Sequence, residues 1–359
     1  MEIIKKEITV SQLNNEKARK ILEGAEVTPY RINTFLSNPN LVDEQSVVLY
    51  AVCDGEKVVG RTSLYPTKML CDGHTKVACS GRDLFVDEEY RKEAIGMDLM
   101  MYPLTSKSIN LIVFSGISNM ALPLYKALKY HILEFPRMMQ LRNFRCLLQS
   151  KGMKGMPLRF FTMVLNIPLW IVSLGWRISS KRVSQKFEIE QVQKVPEWIN
   201  DVVTIQGDKY MELHDQKWFQ WNLDYNFNYH PRNRQFFYIV KKHGKNLGFF
   251  MTKERYRKDA GGLLSNVVIG SIVEWGSYDE SLLSESDIYK LALRTFAADV
   301  DIVETATDNN RTVKSLKRML FIHHDFAHIV FKDKTKQYKD SSDISKWRIR
   351  YGYADVILT

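Results

Sequence analysis

From Val47 onward the chain alternates short apolar runs with turn-forming residues, the pattern of paired strands. Val47–Val52 and Val58–Leu64 flank Cys53-Asp54-Gly55-Glu56-Lys57, where Asp-Gly accepts positive φ and predicts a hairpin. Thr67–Cys71 predicts a third strand and Lys76–Val86 a long fourth one, so an antiparallel sheet is implied. Met97–Ser106 has helical spacing, and Pro103, which lacks an N–H, is expected to end or kink it. Ile109–Phe114 is the continuous apolar run of a buried strand, and Ser118–Lys129 predicts a helix capped by Ser118 or Asn119. Ahead of all this, a strand around Ile8–Val10 and helices at Asn14–Leu22 and Arg31–Leu36 form an entry segment.

The same pattern returns in the second half of the chain. A shift of 191 positions lays Asn119 on Asn310, Tyr130 on Phe321 and Phe135 on Phe326. Phe236–Val240 and Leu247–Thr252 repeat the hairpin, Val267–Gly276 the long strand, Ser286–Ala297 the following helix and Val300–Thr307 the next strand. The expected fold class is mixed α/β: two copies of one domain, each a twisted, mostly antiparallel sheet flanked by helices. The expected boundaries are residues 1–145, a connector at 146–186, and 187–359.

The connector contains Phe160–Trp176, an uncharged run with basic residues on both sides. It is slightly short for a membrane span, and Asn166 and Pro168 near its middle count against spanning. A packed connector, an interfacial membrane element and a true span are the three readings, with Trp170, Trp176 and the basic flanks keeping the membrane in play.

Composition is that of a soluble globular protein of 359 residues, 45% apolar and 26% charged. A net charge of +10 suits an anionic partner, a phosphate-rich cofactor or an anionic membrane surface. The basic residues follow no nucleic-acid motif, so nucleic acid is not expected. Cys53, Cys71, Cys79 and Cys146 form no CxxC pair and the N-terminus lacks a signal-peptide layout, so free thiols in a reducing cytoplasm are expected.

The most informative stretch is Arg82–Gly96, RDLFVDEEYRKEAIG, which reads as strand, turn and helix start. Small residues at Ala94 and Gly96 leave N–H groups bare at a helix N-terminus, where an anion is favoured. Arg91-Lys92-Glu93-Ala94-Ile95-Gly96 resembles the acyl-CoA pyrophosphate loop of the GNAT N-acetyltransferase superfamily, Q/R-x-x-G-x-G/A, with Ala94 in place of the first glycine. Downstream, SNMALPLYKALKY resembles a second motif of that superfamily, N-x-x-A-x-x-L-Y-x-x-x-G-F. Ala121, Leu124 and Tyr125 match it; Ser118, with Asn119 one place late, and Lys129-Tyr130 depart from it.

This resemblance implies direct acyl transfer from acetyl-CoA, or another acyl-CoA, to an amine, without a metal. Leu84, Phe85 and Val86 would pair with the pantetheine arm, Arg91–Gly96 would hold the pyrophosphate, and Asn119 would lie beside the cofactor. Tyr125 would protonate the leaving thiolate, and Asp83 is the acidic residue nearest to serve as base. Acceptors implied for the family include small-molecule amines, aminosugars and peptides, and its tandem members include aminoacyl transferases of cell-envelope precursors. A non-catalytic CoA-binding or membrane-surface scaffold is the alternative.

In the second copy, Arg91–Gly96 becomes Leu282–Asp287 and Tyr125 becomes Leu316, so acyl-CoA binding is expected in the first copy alone. Asp83 falls on Glu274, which leaves a carboxylate on both long strands, with Glu274 either a hydrogen-bonded structural group or a contact to the acceptor. Trp218, Trp221 and Tyr225 recur near helical spacing, either as core or as a wall for an acceptor. His323, His324 and His328 fall on a strand, where their spacing does not suit a metal. The tail from Asp340 is expected to add a strand to the second copy. The setting follows as cytoplasmic, with the inner face of the membrane as its variant through Phe160–Trp176.

Overall fold

The computed structural model describes residues 2–13, 36–41, 43–117, 119–205, 209–224, 231–258 and 266–353, without the side chains of Arg82, Asp83 and Tyr353. The expected helix at Asn14–Leu22, and all of Arg31–Leu36 except its last residue, lie outside the described residues, as do Ser118 and Tyr225. The first half holds β1 (Ile3–Thr9), α1 (Val10–Leu13), β2 (Val47–Asp54), β3 (Lys57–Cys71), β4 (His74–Val86), α2 (Ile95–Thr105), β5 (Leu111–Ser115), α3 (Leu122–Ala127) and β6 (His131–Leu141). Then come α4 (Arg145–Ser150), α5 (Gly155–Ser184), β7 (Glu188–Val192), α6 (Ile199–Ile205), β8 (Tyr210–Glu212) and α7 (Gln216–Asp224). The second half continues with β9 (Arg234–Lys242), β10 (Lys245–Arg257), β11 (Val267–Ser277), α8 (Glu285–Thr295), β12 (Ile302–Ala306), α9 (Asn310–Arg318) and β13 (Ile322–Asp333).

The shift of 191 reappears in the backbone. β5 and β12 are 191 residues apart at both ends, β4 and β11 at their last residues, and β6 and β13 at their first. Lys129 and Leu320, again 191 apart, follow α3 and α9 with φ of +57° and +67°. In each case the next residue donates back into the helix, Tyr130 N–H to Tyr125 O and Phe321 N–H to Leu316 O, both at 3.0 Å. A residue in the left-handed region closes both helices, as helix C-termini commonly require.

Two compact units are present, and they do not follow the linear halves. Unit 1 comprises residues 1–134, 208–221 and 328–348; unit 2 comprises 135–207, 222–327 and 349–359. In unit 1 the strands run β1-β2-β3-β4-β5 and the sheet is extended by the end of β13, whose Ile329–Asp333 pairs antiparallel with Leu111–Ser115. In unit 2 the end of β6 pairs antiparallel with β12, followed by β11, β10, β9 and β7. Each unit therefore completes its sheet with a strand from the other half of the chain. This differs from the boundaries expected at 145 and 186. The reason is that β6 and β13 occupy the same place in the repeat, so β5 and β12 offer equivalent edges to either.

Other local expectations need correction. Thr67–Cys71 is not a separate strand, because β3 runs for 15 residues through Pro66. On the side of β3 away from β4, β2 reaches only Ser63 and β8 starts at Met69, so no described strand faces Pro66 there, while Cys79 of β4 pairs with it on the other side. Pro103 does not end α2 but sits inside its last turn. Pro168, which counted against a span, lies inside α5, and the helix runs unbroken for 30 residues. The tail adds no described strand: Ile344–Lys346 and Tyr351–Tyr353 are 3-10 turns, and Thr307 and Arg350 make an isolated bridge.

In unit 1, α2 lies on the sheet through Ile95 and Leu99, which pack with Tyr50, Val52, Val59, Leu64 and Cys79. Gly60 permits that approach, since a Cβ there would come within 2.5 Å of Ile95 Cγ2. Burying an Ile and a Leu contributes about 1.5–3 kcal/mol each, enough to fix where α2 begins.

Candidate acyl-CoA site in unit 1

Parallel pairing of β4 with β5 covers Cys79–Gly81 against Ile112–Phe114. β4 continues to Val86, while β5 stops at Ser115. On the other side, Ser63 pairs with Arg82 and Arg61 with Phe85, so β4 bulges by one residue around Asp83. The edge from Arg82 to Val86 that faces away from β3 therefore carries backbone groups with no ladder partner among the described residues. Leu84 is 43% exposed there. Asp83 lies on this bulge; its side chain lies outside the described residues.

Beyond Val86, Asp87 accepts from Glu89 N–H at 3.2 Å and caps the short turn Glu88–Tyr90. Lys57 pairs with Asp87 at 2.8 Å and Arg91 with Glu88 at 3.4 Å. Both pairs are exposed and worth little. Lys92, Glu93 and Ala94 form an exposed turn, and Ala94 is the N-cap of α2. Among the described residues no side chain caps that helix, and its first backbone bond runs from Asp98 N–H to Ala94 O at 3.0 Å. The N–H groups of Ile95, Gly96 and Met97 thus have no acceptor within the helix. A Cβ at Gly96 would meet Val86 Cγ2 at 3.7 Å, an ordinary contact.

α3 places Tyr125 inward, 4% exposed, in a cluster with Met100, Ile112, Phe114, Tyr130 and Val330. Its ring stands edge-on to Phe114 at 5.7 Å and to Tyr130 at 5.2 Å. Burial pushes its hydroxyl pKa well above the ordinary tyrosine value, so it stays protonated at neutral pH. Tyr130, where the motif has phenylalanine, carries a buried hydroxyl with no hydrogen-bond partner among the described residues. Sequence reasoning passed over this group. Asn119 is exposed ahead of α3, which begins at Leu122 rather than Ser118.

The second-half counterpart is built differently. Ser284 caps α8, accepting from Asp287 N–H at 3.2 Å. Glu285 is buried and receives Trp275 Nε1–H at 3.2 Å, Asn309 Nδ2–H at 3.2 Å and the hydroxyl of Thr312. Glu274 is buried too, 3.7 Å from Arg350 Nε, and Arg350 lies 4.3 Å over the Trp275 ring. Sequence reasoning did not single out Arg350, because nothing local marks a residue from the tail as the counter-ion of two carboxylates.

The remaining candidates lie elsewhere. Trp218 is buried and stacks on His214 at 3.6 Å, and Trp221 is buried with its Nε1–H donated to Ser37 Oγ at 2.9 Å. A cavity of about 610 Å³ in unit 1 is lined by Val47, Leu64, Lys76, Cys79, Asn110 and Tyr338 among others, and by no residue of 82–96 or of α3. It lies against Lys76–Cys79 near the start of β4 and Tyr102 in the last turns of α2, and no residue of that helix's uncapped N-terminus lines it. Among the described residues no group of three His, Cys, Asp or Glu is placed to hold a metal ion. His328 instead approaches Glu134 at 3.1 Å.

No protein-family model matches the sequence, and no curated protein does. Solved structures do match. A GCN5-related N-acetyltransferase from Anabaena variabilis ATCC 29413 aligns with a TM-score of 0.56 at 10% identity, covering 93% of this chain and 73% of that one. Saccharomyces cerevisiae N-myristoyltransferase with bound myristoyl-CoA aligns with a TM-score of 0.55 at 13% identity, covering 92% and 82%. A protein of Enterococcus faecalis V583 described as a probable N-acyltransferase gives 0.54 at 12% identity, covering 94% and 74%. The chain has the GNAT fold.

Proposed function

We propose that the protein is an acyl-CoA-dependent N-acyltransferase, with acetyl-CoA as donor and an amine of a small molecule, aminosugar or peptide as acceptor. One observation carries this reading: among the described residues α2 begins without a side-chain cap beside an edge of β4 that has no ladder partner, whereas its second-half counterpart α8 is capped by Ser284. The bound myristoyl-CoA of the yeast N-myristoyltransferase supports a thioester of coenzyme A as donor. The recurrence at 191 residues supports reading the chain as two copies of one fold, with one donor site in the first. The cytoplasm, where coenzyme A thioesters are made, is the setting.

On this reading the N–H groups of Ile95, Gly96 and Met97 receive the pyrophosphate, and the free edge of β4 at Leu84–Val86 orders the pantetheine amides. The attacking amine must be neutral, and its proton passes to the Asp83 carboxylate or an ordered water. Nitrogen bonds to the thioester carbon, the carbon–sulfur bond breaks, and the thiolate takes the proton of Tyr125 Oη. Burial keeps that hydroxyl protonated in the resting site but also makes it a weaker acid, so the transfer depends on the thiolate charge developing directly against Oη. Trp218 and Trp221 then act as buried supports behind an acceptor site, and Glu274 as a structural partner of Arg350.

A non-catalytic CoA-binding protein is the second reading, favoured by the enclosure of Tyr125 among apolar rings. Thermal unfolding with acetyl-CoA separates the possibilities, because a ligand at about 100 times its Kd adds about 2.7 kcal/mol. A rise in Tm followed by thiol release that depends on an added amine establishes the transferase. A rise without release supports the second reading, and no rise removes both.

A further inference from the structure

Helix α5, 30 residues and so about 45 Å long, carries apolar residues on the face where a helix of a soluble domain is polar. Toward the body of unit 2 it turns Asn166, Ser173, Trp176, Ser180 and Val183, which recur at three-, four- and seven-residue spacing. Ser180 Oγ donates to Lys290 O at 2.7 Å, and Asn166 Oδ1 accepts Phe144 N–H at 2.9 Å. Trp176 and Val183 pack on the core formed by α8 and the sheet. On the opposite face Phe160, Met163, Ile167, Trp170 and Ile171 are 53–61% exposed. The most apolar window of the helix, mean hydropathy 1.5, is only 6% buried.

Charge follows the same segment. Between Glu134 and Glu188 the chain has ten Lys and Arg and no Asp or Glu, which equals the net charge of +10 of the whole protein. By the turn of about 100° per residue, Arg159, Arg177 and Lys181 fall along one flank of the exposed apolar face. Lys151 and Lys154 precede the helix and are exposed, as are Lys181 and Arg182 in its last turn. A soluble helix exposing this face to water leaves a continuous apolar patch unfavourably hydrated. An apolar strip edged by cations matches a bilayer interface whose headgroups are anionic.

We propose that α5 docks flat on an anionic lipid bilayer, with Phe160, Ile167, Trp170 and Ile171 in the acyl boundary and the flanking Arg and Lys at the headgroups. The helix lies in the plane rather than crossing. Asn166 and Ser180 hydrogen-bond to the rest of unit 2 along the very length that a span would have to surround with lipid, and Trp176 and Val183 pack into its core. The unbroken course through Pro168 keeps the exposed residues in one strip.

The test is co-sedimentation of the full chain with vesicles of equimolar phosphatidylcholine and phosphatidylglycerol, and with pure phosphatidylcholine. The mixed vesicles bind the protein, raised salt weakens the binding, and alkaline carbonate releases it. The variant F160S/W170S/I171S, with no core side chain changed, keeps its Tm and loses lipid binding by about 10²-fold or more. Reversing the charge in R159E/R177E lowers binding to the mixed vesicles only. Indifference to both vesicles overturns the proposal, as does retention after carbonate, which denotes a span. A dimer in light scattering that the triple variant converts to monomer also overturns it, because a second copy then covers the strip.

Discussion

Glu285 stands 191 residues after Ala94, and its Oε1 lies 3.1 Å from Arg350 Nη2 inside unit 2. Where α2 opens on a small residue, α8 opens on a buried carboxylate already matched by a cation from the tail. Removing Arg350 leaves Glu274 and Glu285 buried without their counter-ion. Arg350→Met is therefore expected to lower stability by about 3–5 kcal/mol, read from the urea midpoint at pH 7. A loss below about 1 kcal/mol would show that the cluster is not held by this charge.

The same comparison yields a test of the donor site. Copying the second-half residue into the first, Ala94→Glu, puts a negative charge on an exposed N-cap where the pyrophosphate is received. Acetyl-CoA affinity falls by about tenfold or more, while Tm without ligand is nearly unchanged. Calorimetric titration measures it, and an unaltered Kd sends the cofactor elsewhere.

Tyr125→Phe removes one buried hydroxyl and keeps the ring against Phe114 and Tyr130. If the hydroxyl protonates the leaving thiolate, turnover falls by about 10²-fold with acetyl-CoA binding retained. Full turnover in the variant would return Tyr125 to a packing role.

Lys253, on β10 and 2% exposed, has its pKa pushed down to about 7, chiefly by burial. A lowered pKa in a basic group means that the neutral amine is the form the fold prefers. Its favourable contribution is complete above the ordinary lysine value of about 10.4 and is lost as pH falls toward 7. Stability is thus expected to rise from pH 7 to pH 10 through this group. Lys253→Met removes that slope, checked by urea unfolding across the range.

Packing of α2 carries a stability prediction of its own. Leu99 is fully buried between the helix and the sheet of unit 1. Leu99→Ala costs about 2–5 kcal/mol, measured by denaturant unfolding, and loosens the helix whose N-terminus forms the donor site.

Local chemistry decided much of this protein from the sequence. The Asp-Gly hairpin, the apolar run at β5, the small residues at Ala94 and Gly96, and the repeat at 191 all appear where their periods and turn residues place them. Each depends on neighbours within a few positions, or on a comparison of the chain with itself. Lys129 shows the limit: it stands where the resembled motif has glycine, and only the backbone shows that the left-handed turn survives, with Lys332 Nζ bonding Lys129 O at 2.8 Å.

Tertiary structure alone decided the rest. Nothing in the sequence chooses which of two equivalent edges β6 and β13 each join, because pairing is settled by the competition between β5 and β12. Nor does it place Arg350 between Glu274 and Glu285, since a charge far along the chain finds its partner only after collapse. Helix α5 is the clearest case. The apolar run is plain in the sequence, yet its outward direction rests on Asn166 and Ser180 being hydrogen-bonded inward, which leaves the apolar residues on the face that water would otherwise cover.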